Sequence, residues 1–129
     1  MSEENVERLR RAYDAFNRSE FDAAIEIIHP DFEFVRAGGQ GSVRGAAAFR
    51  AWMEPDAFEN LRIEPIEIRA HRNKVLVHGR SKASGAGSGI ELDFANWAVW
   101  TFDEEGFATR VEAFLEHEKD EALAAACLD

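Results

Sequence analysis

From Ile90 to Glu116 the chain reads IELDFANWAVWTFDEEGFATRVEAFLE, and its side chains alternate with a period of two. Ile90, Leu92, Phe94, Asn96, Ala98 and Trp100 fall on one face of a predicted strand, with Asp93, Ala95, Trp97 and Val99 on the other. Both faces are largely apolar. A strand of about a dozen residues, where about 5–6 is usual, must then be covered twice, by helices on one side and by something else on the other. Asp103 to Gly106 reads as the tight turn into a second long strand.

The N-terminal half changes period. Val6, Leu9, Tyr13 and Phe16 recur at spacings of three and four, behind Ser2 and the acids Glu3 and Glu4, which predicts a first helix. A second stripe of Phe21, Ala24, Ile25 and Ile28, stopped by Pro30, predicts another. Phe32 to Arg36 alternates as a short strand, with Phe32, Phe34 and Arg36 on one face. The glycine-rich AGGQGSVRG after it reads as a loop. Ala46 to Glu54 is predicted as a third helix, its aromatic face built by Phe49, Trp52 and Met53 and its end set by Pro55.

Leu61, Ile63, Ile66 and Ile68 begin the longer strands, with a slip of parity at Pro65 that predicts a bulge on an edge strand. His71 to Asn73 reads as a turn, Val75 to about Lys82 as the next strand, Ala83 to Gly89 as a flexible hairpin loop, and Lys119 to Cys127 as a last short helix. Helices first and strands afterwards give an α+β order, with helices gathered on one face of an antiparallel sheet. No repeat or linker divides residues 1–129, so a single domain is expected.

Composition narrows the function classes. With 46% hydrophobic residues the chain can build a core, and a formal charge of −10 sets it against nucleic acid and anionic membrane surfaces. Cys127 stands alone, so no internal disulfide forms, and no segment approaches the roughly 20 apolar residues of a membrane span. A cytoplasmic protein is the expectation.

The segments RRAYDAFNRSEFDAAIEIIHPDFEF, GAAAFRAWM, SGIELDFANWAVWTFDEEGFATRVEAFLEH and EALAAACL resemble the nuclear transport factor 2-like superfamily, in particular its SnoaL-like, polyketide cyclase-like branch. That resemblance implies a cone-shaped, curved antiparallel sheet with the N-terminal helices packed on its concave face, an apolar pocket between them, and homodimers formed across the sheet. It also excludes one reaction. The base, acid and tyrosine positions of ketosteroid isomerase fall on Arg36, Ala98 and near Ala12, and none matches, so a steroid isomerase of that type is not expected. The Asp-Arg-Asp set of limonene epoxide hydrolase finds Arg36 but no two acids beside it.

Laid on the same frame, Phe34, Arg36, Asn96, Ala98, Trp100, Val111 and Leu115 face the cavity, with Phe16, Trp52 and Met53 entering from the helices. Arg36 there would need an anionic partner, either a ligand carboxylate, enolate or phenolate, or else a surface acid such as Asp31 or Glu33. Asn96 either bonds a ligand carbonyl or serves the structure. Phe34, Trp52 and Trp100 form either an aromatic box or plain core. The four histidines lack metal-site spacing, so no metal is expected, and the pattern leaves both faces open to His78. The GAGSG run lies in a hairpin and not ahead of a helix, which removes it as a phosphate cradle. Trp97, Val99 and Phe114 facing outward together predict an exposed apolar patch and a homodimer through it.

Two functions follow. One is a small-molecule-binding domain that takes a mostly apolar, partly anionic ligand, with a cofactor-independent cyclase or isomerase activity as its catalytic form. The other is a non-catalytic accessory or dimerisation domain.

Overall fold

A computed structural model describes residues 2–53, 58–85 and 91–128. Helix α1 (Ser2–Asn17) and a single turn α2 (Phe21–Ala24) precede strand β1 (Ile28–Val35). A 3-10 turn (Ala37–Gly39), a short β2 (Ser42–Arg44) and helix α3 (Ala46–Met53) follow. Four long strands come next: β3 (Phe58–His71), β4 (Lys74–Gly85), β5 (Glu91–Phe102) and β6 (Ala108–Leu115). The 3-10 turn Glu116–Glu118 then leads into helix α4 (Lys119–Ala125). The strands form one open sheet in the order β2-β1-β6-β5-β4-β3, an α+β cone with helices α1, α2 and α3 on the concave side.

The alternation of β5 fixes the two layers. Trp100 and Phe102 pack inward with Val75, Val77, Ala108 and Val111 of the neighbouring strands, under Leu9 and Phe16 of α1 and Phe49 and Met53 of α3. Trp97 and Val99 point the other way into a second cluster with Leu76, Ala122 and Ala126. Helix α4 therefore lies on the convex face. Trp97 is 3% and Val99 2% exposed, and Phe114 packs half-buried beside them. The outward facing expected for these three residues holds, but the exposed patch does not: the chain's own last helix covers the surface on which the dimer expectation rested.

His78 also stands on the convex side. It stacks on Trp97 at 3.9 Å with the rings 9° apart, and its Nε2 lies 2.9 Å from a Glu116 carboxylate oxygen. Glu116 in turn gives its backbone carbonyl to the Trp97 indole N–H at 3.2 Å.

Several boundaries differ from the sequence pattern. The second helix is one turn, and Ile28 opens a strand that contains Pro30. Proline is tolerated there because the β1–β6 ladder shifts register between Ile28 and Glu33, so no partner awaits the missing N–H. That ladder is parallel, the one departure from the antiparallel sheet among the described strands. The glycine-rich stretch is not all loop, since Phe34 pairs with Val43. Strand β4 runs on to Gly85. Glu54, the rest of the GAGSG hairpin and Ile90 lie outside the described residues.

Other expectations stand. Strand β3 is an edge, with a register shift between Pro65 and Glu67. At the β5–β6 turn Asp103 Oδ1 accepts the backbone N–H groups of Glu105 (3.0 Å) and Phe107 (2.9 Å). Gly106 there has φ +91°, and a Cβ on it would lie 2.7 Å from Arg8 Cζ, so the Arg8 guanidinium of α1 reaches over the turn. At its C-terminal end α1 is clasped to the β3 edge by one side chain. Asn17 Nδ2 donates to the Ile63 carbonyl (2.9 Å), and Asn17 Oδ1 accepts the Ile63 N–H (2.8 Å).

Candidate functional site

With the C-terminal end of α1 held at the β3 edge and α3 packed on β1, the helices bridge the concave face without filling it. A half-open cavity of about 110 Å³ remains. Leu9, Ala12, Tyr13 and Phe16 come from α1, Phe49, Trp52 and Met53 from α3, and Phe34, Ile63, Val77, Gly79, Asn96, Ala98, Trp100, Val111 and Ala113 from the strands. The hollow exists because small residues stand on its walls. Ala98 and Ala113 are register partners on β5 and β6, Gly79 pairs with Asn96, and Ala12 faces them from the helix. A Cβ on Gly79 would come within 3.2 Å of Ile63 Cγ2, so that position admits no bulk unless Ile63 gives way.

The aromatic wall is built by contact. Phe49 and Trp52 stack at 5.7 Å with planes 6° apart, and Phe34 meets Trp52 edge-on at 4.7 Å. Trp52 is 42% exposed and stands at the opening, whereas Phe34, Phe16, Met53 and Trp100 are buried. Of the predicted site residues, these five and Asn96 are brought together around one space.

Two are not. Leu115 keeps the inward parity of β6 but projects past the cavity and is 41% exposed. Arg36 follows the end of β1. Its Nη2 donates to the backbone carbonyl of Gln40 at 2.7 Å, its Nε is buried without a partner, and it is absent from the cavity wall. The guanidinium ties down the glycine-rich turn, and neither Asp31 nor Glu33 holds it. Glu33 is engaged by Arg44 (3.4 Å) and Arg110 (3.3 Å).

Among the described lining residues no Asp, Glu, His, Lys, Arg or Cys appears. Side-chain polarity among them comes from Tyr13, Trp100, Asn96 and the indole N–H of Trp52. Trp100 Nε1 donates to the Tyr13 hydroxyl at 3.1 Å, with the rings edge-on at 6.2 Å. Desolvation pushes the Tyr13 phenol up to about 12, against a smaller opposing pull from the Trp100 bond, so the group is a neutral phenol across the physiological range. Its oxygen accepts from Trp100, which leaves its own O–H free to donate. Among the described residues the Asn96 amide has no protein hydrogen-bond partner. Described residues group no three metal-type ligands.

Sequence reasoning took Tyr13 as one more member of an apolar stripe. It is the only tyrosine of the chain, and a hydroxyl on a buried helix face needs a partner. That requirement was the available signal.

An open, curved sheet folded around N-terminal helices, with a chamber between the two, is the nuclear transport factor 2-like architecture. The model of the SnoaL-like domain matches residues 9–111, and the chain belongs to that family. Solved structures agree on the fold. A putative polyketide cyclase from Xanthomonas campestris pv. campestris superposes with a TM-score of 0.80 at 18% identity, covering 92% of this chain and 94% of its own. TerC, co-crystallised with polyporic acid, gives 0.74 at 22% identity over 95% and 98%. SalBIII, an epoxide hydrolase/cyclase-like enzyme with a role in pyran ring formation in the polyether salinomycin, gives 0.77 at 18% identity over 87% and 90%. No curated protein matches the chain. No helix among the described residues is long and apolar enough to cross a membrane.

Proposed function

We propose that this protein binds a mostly apolar small molecule in the concave cavity, with the phenol of Tyr13 and the amide of Asn96 meeting the guest's polar atoms. The observation that carries this reading is the composition of the wall: apart from Tyr13, Asn96 and the indole N–H groups of Trp100 and Trp52, the described lining is apolar. A half-open void of that kind favours an apolar guest. The partly anionic ligand expected from Arg36 loses its support, since the guanidinium is turned to the Gln40 carbonyl and stands outside the cavity wall.

A second reading, a cyclase-type enzyme, is favoured by the Trp100–Tyr13 bond. A neutral phenol whose oxygen already accepts a hydrogen bond is a good donor to a carbonyl oxygen as charge builds on it. No described wall residue is a carboxylate or imidazole that could take a proton, so under this reading a basic atom of the guest takes it while Tyr13 donates a hydrogen bond to the oxygen on which charge builds. The polyketide cyclase-like and cyclase-like relatives support this reading as a class of chemistry, with no substrate implied.

The test is saturable binding of the neutral probe N-phenyl-1-naphthylamine, followed by its fluorescence. Wild-type protein is expected to bind it and Ala98→Trp, which fills the floor, to lose it while keeping its circular dichroism spectrum. Unsaturable binding, or equal binding by the folded Ala98→Trp variant, contradicts the reading.

A further inference from the structure

If the cavity is a ligand chamber, as proposed above, its few polar groups say what a guest must carry. Their hydrogen-bond capacities can be counted. Tyr13 takes the Trp100 N–H on its oxygen and has one O–H left to give, so this end of the chamber presents a donor strengthened by the bond it accepts. Asn96 presents both a carbonyl and an NH2 with no protein partner among the described residues. It sits across the ladder from Gly79, where the lack of a side chain keeps the space beside its Oδ1 clear.

The two poles stand over different positions of β5. Asn96 and Trp100, the partner of Tyr13, are four residues apart on one face of that strand, about 13 Å along its backbone at the usual strand rise. Between them lie Ala98, Ala113, Val111 and the aromatic wall. No described cation lines the space, and the whole chain carries a formal charge of −10. A carboxylate entering would surrender its hydration without gaining a counter-charge, whereas a ketone of the same shape gives up little and gains the Tyr13 bond.

We infer that the chamber selects uncharged, elongated ring compounds with a hydrogen-bond acceptor at the Tyr13 end and a second polar group read by Asn96, and that it rejects their anionic counterparts. Tyr13 sets the charge preference, and Asn96 sets the length.

Naphthalene, 2-acetylnaphthalene, 2-naphthoate and 6-acetyl-2-naphthol share one ring system and differ in acceptor, charge and far-end hydroxyl. Titrated against the wild-type protein at pH 7.5, the ketone is expected to bind about ten-fold tighter than the carboxylate, an order typical of one unmatched hydrogen bond or charge. Tyr13→Phe is expected to weaken the ketone about five- to ten-fold and to leave naphthalene unchanged. The added hydroxyl of 6-acetyl-2-naphthol is expected to improve affinity about three-fold in wild type and not in Asn96→Leu.

Carboxylate binding as tight as the ketone overturns the inference while leaving the ligand-binding reading in place, and this comparison needs no variant. Equal losses for naphthalene and ketone in Tyr13→Phe reduce Tyr13 to a structural role and overturn its pole. A hydroxyl gain that survives in Asn96→Leu overturns the other. Failure of all four compounds to bind removes both the inference and the reading beneath it.

Discussion

The two faces of β5 bury aromatic residues alternately, yet among the described residues the concave face borders a cavity around Asn96, Ala98 and Trp100 while the convex face at Trp97 and Val99 meets a helix. On the convex side Trp97 and Val99 meet Ala122 of α4 and Ala126 just after it, and both alanines are fully buried. Small residues on the covering helix let it settle onto large residues of the sheet. On the concave side the arrangement is reversed. The floor includes small residues, Ala98, Ala113 and Gly79, beside Trp100, Val77 and Val111, and the roof is large, with Phe16, Phe49, Trp52 and Met53. The C-terminal end of α1 in that roof is held in place where Asn17 clasps Ile63. Hydrophobicity therefore does not separate a core from a chamber here. Side-chain size and the anchoring of the cover do.

The largest expected effect breaks the convex side. Trp97→Ala removes an indole that is 3% exposed, a loss of about 3–5 kcal/mol by the usual cost of large-to-small core changes. Trp52→Ala, at the mouth and 42% exposed, is expected to cost about 1 kcal/mol or less while weakening apolar probes. Urea denaturation of the two variants measures the contrast, and equal costs would erase it.

Adding bulk sharpens the comparison from the other direction. Ala122→Leu overpacks a dry seam and is expected to cost about 1–3 kcal/mol, whereas Ala98→Leu grows into open space and is expected to be close to neutral. Thermal melts of the pair report this. A costly Ala98→Leu would mean that the floor is already full.

The smallest effect is in alkaline solution. Burial raises the Tyr13 phenol from 10.0 to about 12, so between those values the folded chain holds a proton that the unfolded chain has lost. Folded stability accordingly falls as pH rises from about 10 towards about 12. Below that window the contribution is flat. Tyr13→Phe is expected to remove this part of the slope in denaturant titrations at pH 9 and 11, and an unchanged slope assigns it to other groups.

How much of this was written in the pattern of residues varies with the range of the interaction. The long strands, the edge bulge at Pro65 and the opposite facings of Trp97 and Trp100 follow from a period of two, which is local. The single-turn α2 was not legible, because Ile28 satisfies a helical stripe and a strand equally well and only its pairing with Ala108 decides. The position of α4 was not legible either. Its alanines fit many surfaces, and an apolar outer face reads the same whether a helix or another molecule covers it.

At the site, six of the eight expected residues line one cavity because facing alone places them. Arg36 and Leu115 share that facing, but they stand beyond the end of the space, and parity says nothing of depth along a strand. Tyr13 was missed for the opposite reason. Its helical position was read correctly, and the consequence of its hydroxyl was not.

The account depends on an unfilled, largely apolar space on one side of the sheet and a closed seam on the other. Xenon enters empty apolar cavities and leaves packed cores alone, so diffraction from crystals under xenon pressure probes both sides at once. A xenon peak enclosed by Ala98, Ala113, Phe34 and Trp100, with none between Trp97 and α4, is the predicted result. Side chains of Trp52 or Phe49 occupying that volume, with no xenon in it, would contradict the account.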